Sequence, residues 1–240
     1  MDADDNESLA KNAISIAARE GLVILSQHEV RFSHDSFTEA AYSLLRAEDR
    51  CSFHLMLGEI LVKHIPKNLF QKHLFTVAVQ LALGLSSITN NHDDSRITFI
   101  RVFLDAGDES NSASAFPVAM SWFSLGISLL REQDWQENYL LSADIYLKAR
   151  DASSTAQEYN NMNTCLAVIF DRCKDDLLTV LTGYFIRIRT LAVNEDPRSI
   201  DVILEALRLV GIQFPSKNMM LHVLVSRQKT QEHDLTYMAI

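Results

Sequence analysis

Glycine and proline are scarce, 7 and 4 residues out of 240, which removes collagen-like, low-complexity and turn-rich β architectures from consideration. With few helix breakers and an apolar fraction of 48%, ample for a buried core, helix is the default expectation. Cysteine is scarcer still. Cys51, Cys165 and Cys173 are odd in number and lack CxxC spacing, so they read as reduced thiols in place of a disulfide framework or a zinc site. Cys165 and Cys173, eight residues apart in a helical stretch, can share a face without touching. Basic residues are outnumbered, 22 Lys and Arg against 31 Asp and Glu, and no basic run offsets the formal charge of −9. That weighs against a nucleic-acid partner. Apolar runs such as Leu74–Leu85 are interrupted by Thr76, Gln80 and Gly84 and are too short to span a bilayer. Met1-Asp2-Ala3-Asp4-Asp5 is the opposite of a secretory signal. The expectation is a cytoplasmic chain with no membrane insertion.

The parts of a phosphoryl-transfer site are missing too. No GxxxxGK[ST] occurs and no glycine precedes a lysine, so the nest and lysine that hold β- and γ-phosphates are absent. There is no glycine-rich kinase loop, no HRD and no DFG. The eight histidines show neither HExxH nor paired-ligand spacing. No catalytic residue, metal ligand or resident cofactor is expected in the chain itself.

What is present is helical periodicity. From Glu7 to Glu20, Leu9, Ala13, Ile14 and Ala17 share one face, and Gly21 follows as a stop. Leu22–Leu25 and Val30–Ser33 flank the polar turn 26–29 and predict a hairpin. Ser36-Phe37-Thr38-Glu39 has the form of a capping box, and Phe37, Ala40, Ala41, Leu44 and Leu45 predict a buried stripe behind it. Helix, hairpin, helix outlines a winged-helix unit over residues 1–47.

Residues 48–240 predict helices throughout: Glu48–Ile65, Leu69–Ile88, Asp94–Ser112, Phe116–Arg131, Asp134–Arg150, Ser154–Arg172, Asp175–Val193 and one opened by Asp196-Pro197. Asp134 with Glu137, and Ser154 with Gln157, are taken as capping pairs. In the last helix Ile200, Ile203, Leu204 and Leu207 form the apolar stripe. The weak pattern at Leu221, Leu224 and Val225 suggests a truncated half-repeat. Paired helices recurring at roughly forty residues predict a tetratricopeptide-like helical-hairpin solenoid, since no single pair buries its own stripe. The fold class is therefore mainly α, with one hairpin.

The run Val30-Arg31-Phe32-Ser33-His34-Asp35-Ser36-Phe37-Thr38-Glu39-Ala40-Ala41-Tyr42-Ser43-Leu44-Leu45 resembles a junction in multidomain hybrid sensor histidine kinases of fungal type and their bacterial relatives. That junction follows an AAA-related, STAND-type signalling ATPase module. His54 with Gly58, Asp134-Trp135 with Tyr139, and Leu209–Pro215 fit the same pattern in order. The resemblance implies a regulatory region in a two-component phosphorelay, coupling an ATPase switch to kinase output. Its partners would be other domains of the parent polypeptide. It also implies that His34 and Asp35 touch an ATP or ADP diphosphate held by an upstream ATPase domain.

Other readings compete. Ser33-His34-Asp35 does not make a catalytic triad, because consecutive residues leaving a strand point to alternate faces. His34 and Asp35 could merely end a strand and cap the next helix. The helix Glu7–Glu20, with Lys11 and Arg19 set against Glu7 and Glu20, is poorly built to neutralise DNA phosphates, so winged-helix transcriptional control is the weaker alternative. A stand-alone helical-repeat adaptor taking a partner peptide is the stronger one. Trp122, Phe123, Trp135, Tyr139 and Tyr146 are expected between helices as core, with a ligand groove as the second option.

Overall fold

The computed structural model describes residues 3–26, 30–88 and 93–213, with side chains described from 8 onward and, in the last segment, from 95. The hairpin turn at 27–29 and the expected half-repeat after 213 lie outside these residues. The chain divides into two compact units, 1–95 and 96–240.

In the first unit, helix α1 (Ala3–Arg19) ends where Gly21 adopts a left-handed φ of 73°. Leu22 N donates to Ala17 O and Gly21 N to Ala18 O, the paired bonds of a Schellman cap. Strands β1 (Val23–Leu25) and β2 (Val30–Phe32) pair antiparallel with Val23 opposite Phe32, Ile24 opposite Arg31 and Leu25 opposite Val30. Helix α2 (Asp35–Ser43) follows at once.

The expected capping box gives way to a different cap. The N-cap is His34, whose side chain accepts from Ser36 N, so Ser36 already lies in the first turn. Nor is the stripe of α2 buried: no residue of that helix is, and Leu44 beyond its end is 85% exposed. Nine residues offer too little surface for a core of their own.

Helices α3 (Arg50–His64) and α4 (Lys67–Leu83) supply the core of this unit through Leu55, Leu74, Val77, Ala78 and Leu81. They meet closely because Gly84 has no Cβ; one placed there would lie 2.5 Å from Leu55 N.

In the second unit, α5 (Asp93–Ser112) and α6 (Phe116–Leu129) pack through Ile100, Leu104, Ala119, Met120 and Phe123. Gly107 makes room for the Phe123 ring. Pro117 falls in the first turn of α6, where its missing N–H costs nothing. A single turn, α7 (Asp134–Glu137), precedes α8 (Tyr139–Thr155), which is buried on more than one side. Leu141, Ile145, Ala149 and Ala152 belong to the α5–α6 core, while Ala143 joins Ile169 and Cys173 of the next layer. Helix α9 (Tyr159–Arg172), α10 (Leu177–Val193) and α11 (Arg198–Leu209) follow.

Two of the expected caps move here. Asp134 is no capping box residue, since the one-turn α7 breaks at Asn138 and the Asp134 side chain is spent elsewhere. Ser154 lies inside α8, and Gln157 ends that helix with a φ of 60° in place of starting the next. In α11 the buried residue is Val202, and Ile200 and Ile203 of the expected stripe stay exposed, because α10 covers only one side of the helix. Asp176 caps α10 by accepting from Thr179 N, and Asp196 accepts from Arg198 N just ahead of α11, the latter where the sequence places it.

Candidate functional site

His34 sits between two tethered elements. Ser33 Oγ donates to Gly21 O at 2.6 Å, tying the strand end to the cap of α1. His34 is extended (φ −149°, ψ 148°), which turns its ring back over the first turn of α2. Nδ1 accepts from Ser36 N at 3.1 Å and lies 2.8 Å from Ser36 Oγ. An Nδ1 that accepts leaves the ring proton on Nε2, so the tautomer follows from the cap. Asp35 occupies the first turn of α2, where the helix dipole favours a carboxylate, and makes no side-chain hydrogen bond or ion pair among the described residues. Both residues are exposed and adjacent, and the cap is a bond of His34 alone.

Two further pieces of the motif pattern meet in space. Tyr42 Oη lies 3.0 Å from His54 Nε2, and His54 Nδ1 lies 2.7 Å from Gln80 Oε1. Gln80 Oε1 can only accept, so His54 Nδ1 donates and Nε2 receives the Tyr42 proton. Arg50 caps the Tyr42 ring at 4.7 Å. Gly58, one turn on from His54, lies against Leu81. The Ala-Ala-Tyr and His-x-x-x-Gly segments thus form one joint linking α2, α3 and α4.

The second unit carries an open groove. Its walls are Met120, Ser124 and Ile127 of α6 and Thr164, Cys165 and Val168 of α9; its floor is Tyr146, Ala149 and Ser153 of α8. Each set falls at helical i, i+3, i+4 or i+7 spacing, so one face of each helix serves the groove. Two cavities of about 420 and 190 Å³ share Ile127, Tyr146 and Val168 and make it continuous. At the wider end Trp135 stands 5.6 Å from the Tyr146 ring and 6.4 Å from Tyr139. There the Arg172 guanidinium forks onto both oxygens of Glu132. Burial pushes the Cys165 thiol up to about 11, so it is a packing atom and no nucleophile at neutral pH.

The five aromatic residues therefore part company. Trp135, Tyr139 and Tyr146 cluster beside the groove, Phe123 is fully buried, and Trp122 stacks on Phe103 at 6.1 Å. Sequence reasoning missed the groove walls Ile127 and Val168, and it missed Arg96. The Arg96 fork holds Asp134 at 2.6 and 2.8 Å in the interior, and Asp134 also accepts from Arg131 N. A separation of 38 residues leaves no periodic trace of such a pair. Among the described residues no cluster of three or more His, Cys, Asp or Glu is arranged to hold a metal, and no helix is long and apolar enough to cross a membrane.

No protein-family profile matches the chain, and no solved structure matches it. Among curated proteins it is similar to hybrid signal transduction histidine kinase G of Dictyostelium discoideum, 24% identical over 206 residues. The match covers 75% of this chain and 6% of that protein, so the chain spans a small part of the relative's length. The likeness is a distant one, to a signalling protein.

Proposed function

We propose that the chain is a non-catalytic regulatory region of a hybrid histidine kinase type of signalling polypeptide, coupling an ATPase switch to kinase output. Residues 1–47 act as the winged-helix-like tail of the ATPase module and 48–240 as tetratricopeptide-like helical repeats. The distant likeness to a hybrid histidine kinase supplies the context. The observation that carries the reading is the geometry at His34. Its Nδ1 is spent on the chain's own helix, and its exposed Nε2–H is left as a donor held between two anchored elements, fit to meet a nucleotide diphosphate.

Asparagine separates this role from capping. Asn is a favoured N-cap, so His34→Asn keeps the cap and removes the Nε2 donor. In the parent polypeptide it is expected to weaken diphosphate affinity about tenfold, the worth of one charge-assisted hydrogen bond, and to raise basal signalling. Unchanged diphosphate affinity would reduce His34 to a helix cap and remove the switch.

The groove favours a second reading, a helical-repeat adaptor that holds a partner peptide. Val168→Glu puts a charge into the half-buried groove wall. Under the regulatory reading it alters kinase output of the parent several-fold, in cis and at unchanged melting temperature. Under the adaptor reading it leaves that output alone and abolishes capture of a separate protein.

A further inference from the structure

A second cleft in the 96–240 unit, away from the groove and from His34, lies between α9, α10 and α11. It measures about 330 Å³. Three helices each present one face to it. Helix α9 supplies Tyr159, Met162 and Asn163; α10 supplies Arg187, Thr190 and Leu191, with Asn194 just past its end; α11 supplies Arg198 and Val202. The positions fall at i, i+3, i+4 and i+7, so these are whole stripes in place of stray neighbours. Met162 and Val202 are buried and form an apolar floor with half-buried Leu191.

The polar groups around that floor are of two kinds. Some are already engaged. Arg198 is held by Asp196, with Nε 3.0 Å from both carboxylate oxygens; Asn194 Nδ2 donates to Thr190 O at 2.7 Å; Thr190 Oγ1 reaches Met162 Sδ at 3.5 Å. The others are open. The Arg187 guanidinium on α10 and the Asn163 amide and Tyr159 hydroxyl, a turn apart on α9, make no hydrogen bond or ion pair among the described residues. Two guanidinium groups set against the single Asp196 carboxylate leave one net positive charge at the rim of this cleft, in a chain of net charge −9.

We propose that this cleft binds a monoanionic carboxylate carried on a short apolar body. The body lies on Met162, Leu191 and Val202, and the carboxylate accepts from Arg187, with Asn163 and Tyr159 as further donors. A few polar donors converging over an apolar floor is the usual make-up of a small-ligand site, and the volume lies at the small end of such sites. The planar fork of Arg187 matches a carboxylate. A dianionic phosphate fits worse, because the fixed Asp196 carboxylate repels its second charge. This site is independent of the proposed regulatory role, and neither stands or falls with the other.

The test uses the 240-residue chain and three six-carbon probes, titrated calorimetrically: sodium hexanoate, hexyl phosphate and 1-hexanol. Hexanoate is expected to saturate with a Kd of roughly millimolar order, as suits so small a ligand, and the other two to bind at least several-fold more weakly. Arg187→Gln should weaken hexanoate about tenfold or more. Arg187 is exposed, so the melting temperature of that variant should not move. Asn163→Leu, at another exposed position, should weaken hexanoate by a smaller factor. Hexanol binding as well as hexanoate, hexyl phosphate binding better, no saturation by about 50 mM, or full affinity in Arg187→Gln would each overturn the site.

Discussion

Asp134 carries its charge at 0% exposure, and Arg96 opposite it at 4%. A carboxylate so placed is tolerable only because the guanidinium fork and the Arg131 N–H satisfy it. The Arg96 hydrogen bonds, helped by the backbone of Arg131 and outweighing desolvation, hold the Asp134 carboxyl below its ordinary range. A depressed acidic group stabilises the fold fully above the unfolded value, near pH 4, and loses that contribution as pH falls through the folded value. Asp134→Asn keeps the shape and strands the Arg96 charge, so it should cost about 3–5 kcal/mol at neutral pH. The gap between parent and variant should shrink below about pH 4, where protonation does to Asp134 what the substitution did. Denaturant melts at pH 7 and pH 3 measure both; a gap constant with pH would mean that the ion pair is not the source.

At the scale of the element, helix ends are a recurring device in this chain. Five left-handed residues, Gly21, Ser114, Gln157, Glu195 and Gly211, end α1, α5, α8, α10 and α11. Each comes with the same two crossing bonds, such as Glu158 N to Ser153 O and Gln157 N to Ser154 O. Only two of the five are glycine. A side chain at positive φ carries a steric cost that glycine lacks, partly offset by glycine's greater freedom when unfolded. Gln157 is exposed, with nothing of its side chain to lose in a core. Gln157→Gly is thus expected to stabilise the second unit by about 0.5–1 kcal/mol, read from the urea midpoint. A lower midpoint would show that the Gln157 side chain contributes something its exposure does not suggest.

Across the whole molecule the interior is unevenly shared. Among the described residues from 8 to 46 none is buried, whereas α8 alone buries eight. Opening free energy follows buried contact, so native-state amide exchange should be graded. The amides of α1, the hairpin and α2 should exchange fastest, those of α3 and α4 more slowly, and those of α6, α8 and α9 slowest. Protection of α1 equal to that of α8 would contradict the gradient.

The same unevenness separates what was legible in the sequence from what was not. Helix, hairpin, helix and the long helices after it could be read directly, because chain breakers, alternation and the stop at Gly21 act within a few residues. So could the cap at Asp196, where a carboxylate reaches its own backbone. His34 was singled out, and capping of α2 by His34 and Asp35 was among the readings left open, but that His34 alone makes the cap was not legible, because the extended backbone that aims its ring at Ser36 N follows from the strand pairing before it. Which stripes are buried was not legible either. Phe37 and Leu44 have the spacing of a core face and stay exposed, since periodicity tells which residues share a side and only packing decides whether anything covers it. The groove over Tyr146, the cleft at Arg187 and the Arg96–Asp134 lock all join residues dozens of positions apart. Short-range pattern determined the elements of this chain; the long-range approach of separate helices, which no local spacing encodes, decided its core, its buried charge and its candidate sites.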